Sequence, residues 1–131
     1  DERITWMPYH DTARGLAELY SAADLYVHAG TCETFGLASL EAQACGTRVV
    51  GVRGGGIEDS LLGEYPPVLA ESSRAEDLAD AVLRALDFHE SWAHRQARAR
   101  RIRDQFDVSL TCERMLRLYQ GVVLRRGAQA A

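Results

Sequence analysis

Glu33-Thr34-Phe35-Gly36-Leu37-Ala38-Ser39-Leu40-Glu41-Ala42-Gln43-Ala44-Cys45-Gly46 is the stretch from which the fold is read. Its composition favours a helix beginning near Phe35, with Thr34 as N-cap and Gly46 as a left-handed terminator. It is flanked by two short runs of strand-forming residues, Leu25 to His28 before it and Val49 to Val52 after it. A strand, a helix and a second strand at this spacing form one βα unit of a parallel sheet.

The same alternation extends in both directions. Ile4 to Met7 reads as an earlier strand, followed by an amphipathic helix with the stripe Leu16, Leu19, Tyr20 and Ala23, capped by Asp11 or Thr12. Beyond Val52 come the glycines Gly54-Gly55-Gly56, a loop with Pro66 and Pro67, and a weak strand from Val68 to Ala70. Ser73 and Glu76 then have the spacing of a capping box for a helix bearing Leu78, Ala81, Val82 and Leu86. Two more helices are expected, around Trp92 to Asp104 and Leu110 to Leu124, and the tail from Gly127 is expected to fray. The predicted class is α/β, a parallel sheet with flanking helices. A doubly wound nucleotide-binding domain normally opens with a strand, a glycine-bearing turn and a helix. Here no G-x-G-x-x-G and no Walker A motif occurs, so residues 1–131 read as one partial domain, the later part of a larger one, with C-terminal helices at about 90–125.

With 131 residues and 47% hydrophobic content, the chain can bury a core without disulfides or metal. The expectation is a soluble, cytoplasmic domain: no run of eighteen apolar residues and no leader pattern occurs. Cys32, Cys45 and Cys112 are scattered, without metal-ligand spacing, so reduced thiols and no metal cofactor are expected. Net charge is −4, and all 15 basic residues are arginine. Several crowd into His94-Arg95-Gln96-Ala97-Arg98-Ala99-Arg100-Arg101-Ile102-Arg103. This run reads first as a solvated helix face. The alternative is contact with an acidic partner or with anionic lipid at the inner face of the membrane. Nucleic acid, which favours a broader basic field with interleaved aromatics, is not expected.

Two glutamates carry the chemistry. On the central helix Leu37, Leu40, Glu41 and Ala44 share a face at roughly 100° per residue, which places Glu41 among apolar neighbours. A dry, unpaired carboxylate there costs several kcal/mol. Either it accepts hydrogen bonds from two adjacent hydroxyls, as a ribose presents, or it reaches solvent or an arginine. Glu33 lies in the loop after a strand, where open parallel sheets bind ligands. The first amides of the helix, at Phe35, Gly36 and Leu37, point outward with the positive end of the helix dipole. Glu33 therefore either meets sugar hydroxyls or merely complements that dipole. His28, at a strand end beside the same place, reads first as structural.

The pattern E-x-F-G-L-x-x-x-E, here Glu33, Phe35, Gly36, Leu37 and Glu41, continues into Ala44, Cys45, Gly46 and Val49-Val50. Together with the lead-in Leu19-Tyr20-Ser21-Ala22-Ala23-Asp24-Leu25-Tyr26-Val27, it resembles the retaining glycosyltransferases of family 4, which have the two-domain GT-B fold. Gly55-Gly56-Ile57-Glu58-Asp59 resembles their G-G-x-x-E turn loosely, with Asp59 at the acidic place. The resemblance covers about Ile4 to Leu86. It implies a Rossmann-like C-terminal donor-binding domain and transfer of a hexose from a UDP- or GDP-hexose to a hydroxyl acceptor such as a glycan or glycolipid. It also implies roles: Glu33 as the catalytic-site contact to the donor hexose, Thr34, Phe35, Gly36 and Leu37 facing sugar and diphosphate, Glu41 on the ribose, and Tyr9 beside the base. The family's basic pair for the diphosphate lies upstream of Asp1, and its acceptor-binding N-terminal domain is outside this sequence. This stretch alone is therefore expected to bind donor weakly and to be inactive. The competing readings are a non-catalytic flavodoxin-like interaction module and a sugar-nucleotide epimerase or phosphorylase of the same architecture.

Overall fold

The structure, a computed structural model, describes residues 1–61 and 67–129. In chain order its elements are α1 (Ala13–Ala22), β1 (Leu25–Val27), α2 (Leu37–Ala44), β2 (Arg48–Val52), α3 (Ile57–Ser60), β3 (Val68–Ala70), α4 (Ala75–Asp87), α5 (Trp92–Phe106) and α6 (Val108–Gln129). The three strands form one parallel sheet in the order β1-β2-β3, with Tyr26 opposite Val49 and Gly51 opposite Leu69.

Every residue of β2 is buried, as expected for a central parallel strand covered on both faces. Its side chains alternate between two cores. Val50 and Val52 pack with Ala70, Ala81 and Ala85 against α4, while Val49 packs with Ala42 and Leu61 on the opposite face, flanked by Tyr20 and Tyr26. The short βα connections place the loops after β1 and β2 side by side at the carboxyl ends of the strands.

Local signals set most boundaries. The Thr12 side chain accepts the Gly15 amide at 3.1 Å and caps α1. Gly46, with φ of 84°, ends the α2 turn. Several expectations are corrected. Ile4 to Met7 is not a strand; these residues are largely exposed, and among the described residues no strand pairs with them. Strand propensity without a ladder partner leaves the backbone to water. The helix α2 starts at Leu37, with left-handed Gly36 rather than Thr34 as N-cap. The Ser73/Glu76 box does not form: Arg74 is the N-cap of α4, and Ser72 accepts the Arg74 amide and bonds Asp77 instead. Along α4 it is Ala85 that turns inward, while Leu86 stays 52% exposed. Pro66 lies outside the described residues, and α6 continues through Gln129, past the expected fraying point.

The arginine-rich helix α5 is a solvated face only in part. Arg95, Arg98, Ala99, Ile102 and Phe106 recur at helical spacing and form its inner face. Arg95 donates to the carbonyls of Gly46, Ser21 and Ala23. Arg98, only 4% exposed, donates to Gly46 at 2.8 Å and pairs with Glu90. Glu90 also meets Arg48 of β2 at 3.4 Å. Arg48 in turn donates to Ala85 and lies 4.3 Å over the Phe88 ring. Part of the basic run thus fastens α5 to the ends of α1, α2 and the sheet. Arg100, Arg101 and Arg103 remain on the exposed side.

Candidate functional site

Two loops meet at the carboxyl end of the sheet. The first, His28 to Gly36, links β1 to α2; the second, Arg53 to Gly56, links β2 to α3. They are joined by the Gly56 amide, which donates to the Glu33 carbonyl at 2.8 Å. Gly56 has ordinary helical angles, φ −64° and ψ −9°, so its requirement is for space. A Cβ there would sit 2.1 Å from the Thr34 carbonyl oxygen. Gly36 combines both demands: its φ is 82°, and a Cβ would meet Ser60 Oγ at 2.9 Å.

Glu33 stands at the centre of the first loop. One carboxylate oxygen accepts the amides of Thr34 at 2.9 Å and Phe35 at 3.2 Å, and the other lies 3.9 Å from His28 Nε2. The Phe35 amide above all, then those of Gly36 and Thr34, and the neighbouring His28 hold its carboxyl below the ordinary value of 4.5. The sign follows directly. A carboxyl whose pKa is depressed in the fold stabilises it above its unfolded pKa and loses that contribution as pH falls through the folded value. Glu33→Gln is therefore expected to melt below the native protein at pH 6, with the gap closing below about pH 4.5. Paired thermal melts across that window check this, and a pH-independent gap would exclude the capping role.

The amides expected to face a ligand are thus partly occupied by the protein's own carboxylate. Helix-start amides and Glu33 nonetheless stand together at one surface, with His28 beside them. Phe35 is 39% and Leu37 67% exposed there. A groove of about 440 Å³ runs from this point between α2 and α5, lined by Phe35, Leu37, Leu40, Glu41, Ile102 and Phe106. Phe35 closes one end through an edge contact with Phe106, ring centres 5.9 Å apart.

Glu41 lies in this groove with Leu37, Leu40 and Ala44, as its helical position demands, but it is exposed rather than dry. Of the environments open to it, the carboxylate thus has the one that reaches solvent, because the buried residues of α2 are Ser39, Leu40, Ala42 and Gln43. Two of those four are polar, and a reading of apolar periodicity discounts them. Tyr9 is 92% exposed in the N-terminal segment. Asp59, at the acidic place of the glycine turn, is on the exposed side of α3. The preceding Glu58 instead accepts the Gly54 amide at 2.7 Å and approaches Arg53.

Sequence reasoning passed over the buried polar cluster below these loops. Gln43 Nε2 donates to the Ser60 carbonyl at 2.7 Å and lies 3.1 Å from Ser39 Oγ; Ser60 Oγ is 2.9 Å from Ser39 Oγ. All three side chains are at most 1% exposed. The available signal was the recurrence of Ser39 and Gln43 one turn apart on the side of α2 away from Glu41. Among the described residues no cluster of three metal-ligating side chains occurs, the cysteines are unbridged, and no helix is long and apolar enough to cross a membrane.

A parallel sheet with helices on both faces and two glycine-bearing loops at its carboxyl end defines a Rossmann-like α/β ligand-binding domain. Residues 1–119 match the family described as "Glycosyl transferases group 1", and the chain belongs to it. It is 34% identical over 118 residues to D-inositol 3-phosphate glycosyltransferase of Gordonia bronchialis, covering 90% of this chain and 26% of that protein. With the protein of the same name from Mycobacteroides abscessus it shares 40% identity over 81 residues, 62% of this chain and 18% of that one. Among solved structures, sucrose-phosphate synthase from Thermosynechococcus elongatus matches with a TM-score of 0.72 at 31% identity, over 85% of this chain and 28% of that one. The architecture is that of the GT-B class, and the chain spans between 18% and 28% of the length of these relatives.

Proposed function

We propose that this domain forms the donor side of a glycosyltransferase that takes a hexose from a UDP- or GDP-hexose and passes it, with retention of configuration, to a hydroxyl acceptor such as a glycan or glycolipid. The observation carrying this reading is the placement of Glu33 in the loop before α2 and of Glu41 on its exposed side, on the carboxyl side of a parallel sheet, in a chain of this family. In the proposal Glu33 contacts the hexose hydroxyls, and the amides from Thr34 to Leu37 face the sugar and diphosphate. Glu41, reaching solvent at the groove, accepts two hydrogen bonds from the ribose. Tyr9 lies beside the base, the acceptor is bound by the rest of the protein, and no metal takes part.

The chemistry asked of these groups is modest. An anionic carboxylate kept ionised by backbone amides is a fixed acceptor for hydroxyls. Helix-start amides favour the developing charge of a diphosphate leaving group. The test is calorimetric titration of the full-length protein with UDP, GDP and their hexose conjugates. Hydrogen bonds to a charged group are worth about 1.5–3 kcal/mol, so Glu41→Ala should weaken nucleotide binding by about 10- to 100-fold. Glu33→Gln should lower donor kcat/KM on the same scale while UDP or GDP binding changes little. Unaltered binding in the first variant together with full turnover in the second would sink the proposal.

A further inference from the structure

Beneath the two loops lies a buried polar cluster that makes none of the proposed ligand contacts. Among the described residues, Ser39, Gln43, Ser60 and Thr47 are the buried uncharged polar ones, and the first three form one connected unit between α2 and α3. An apolar trio of the same volume would fill that space without the demand that every donor and acceptor be matched. What the polar trio adds is direction.

The geometry specifies what is directed. The helix α3 follows Gly56 immediately and is held at both ends. At its start, the Gly56 amide donates to the Glu33 carbonyl. At its end, the Ser60 carbonyl accepts from Gln43 Nε2 at 2.7 Å. Ser60 Oγ, shared between the Ile57 carbonyl at 2.8 Å and Ser39 Oγ at 2.9 Å, lies directly under Gly36. Glu33 and Gly36, both in the segment that carries the candidate donor contacts, therefore both rest on a four-residue helix. Gln43 and its partners lock that helix to α2.

We infer that Gln43, Ser39 and Ser60 are positioning residues: a buried clasp that sets the Gly36 peptide and the Glu33 loop in the orientation the donor site uses. This rests on the donor-site reading above, so the test has one arm that does not depend on it. In the full-length protein, the space-filling triple variant Ser39→Ala, Gln43→Met, Ser60→Ala removes the hydrogen bonds together, and Ser60→Ala alone removes only the oxygen beneath Gly36. Two quantities are read: amide hydrogen exchange of residues 31–37 and 54–57, and KM and kcat with UDP-glucose and GDP-mannose.

The expected result for the triple variant is a melting temperature lowered by about 5–10 °C, because Gln43→Met takes the amide donor from the Ser60 carbonyl. Exchange in the two loop segments should be about tenfold faster and donor KM about tenfold higher, the effect of loosening by roughly one hydrogen bond. Ser60→Ala should shift both in the same direction, by about threefold. Native exchange rates in both loops, in both variants, overturn the inference. So does acceleration spread evenly over the chain in step with lost stability, which is what ordinary core damage produces. Faster loop exchange with unchanged donor KM, in a protein whose Glu33→Gln variant is impaired, also overturns it. If the native protein uses neither donor and Glu33→Gln changes nothing, the donor-site reading falls, and the exchange arm still decides whether the clasp orients the loops.

Discussion

Glu90→Ala is expected to lower the melting temperature of this domain by on the order of 10–20 °C, the larger of the two biggest effects anticipated here. The Glu90 carboxylate lies between Arg48 and Arg98, whose side chains are 6% and 4% exposed. Removing it leaves two guanidinium groups buried beside one another, with backbone carbonyls at Ala85 and Gly46 as remaining acceptors. Breaking a buried pair from one side costs about 3–5 kcal/mol, a large part of the 5–15 kcal/mol that holds a typical domain folded. Glu90→Gln, which keeps an acceptor and the shape while losing the charge, should fall between. Differential scanning calorimetry of both variants checks this. Unfolding within 3 °C of the native protein for Glu90→Ala would show that water enters the cluster and that its burial is only apparent.

Gly56→Ala should be nearly as damaging for a steric reason. The added carbon would stand 2.1 Å from the Thr34 carbonyl oxygen, 2.3 Å from its carbon and 2.6 Å from the Phe35 nitrogen. These are backbone atoms, so no side chain can swing aside, and relief requires the two loops to part. That loses the Gly56 to Glu33 hydrogen bond and costs about 2–4 kcal/mol. Because the loop that moves carries Glu33, donor affinity should fall together with stability. Gly121→Ala on α6 is the control: nothing lies within 4 Å of a Cβ there, and alanine in a helix interior gains about 0.5–1 kcal/mol. Thermal melts of the two variants should move in opposite directions, and a Gly56→Ala protein as stable as the native one would refute the close approach.

The contrast between these glycines shows what the amino-acid order discloses. The central βαβ unit was legible because a terminating Gly46, an apolar run from Val49 and a strand-like Leu25 to Val27 agree with one another. The glycine cluster was visible as a turn, but its reason was not. Gly54 and Gly55 are there for positive φ, while Gly56 is there for a neighbour 20 or more residues away. Two of the arginines on α5 face inward against the sequence reading, which takes charge as a surface signal. Arg95 and Arg98 are long enough to bury their stems and spend their donors on the carbonyl ends of other elements. Glu41 was placed on the correct helix face, with dry and solvated surroundings both left open, and the choice could not be read because the side of α2 that is covered carries Ser39 and Gln43. Ile4 to Met7 has strand propensity alone, and propensity does not supply a neighbour to pair with.

The Arg48, Glu90, Arg98 cluster also bears on how this sequence can change over generations. Each member is tolerable inside the protein in large part because the others are there, and apolar replacements of all three together are often neutral or better. Any single departure passes through a poorly folding intermediate, whereas the joint departure does not. Positions 48, 90 and 98, drawn from a strand, a connecting loop and a helix, are thus tied in their histories: a lineage keeps the set, or exchanges it nearly at once.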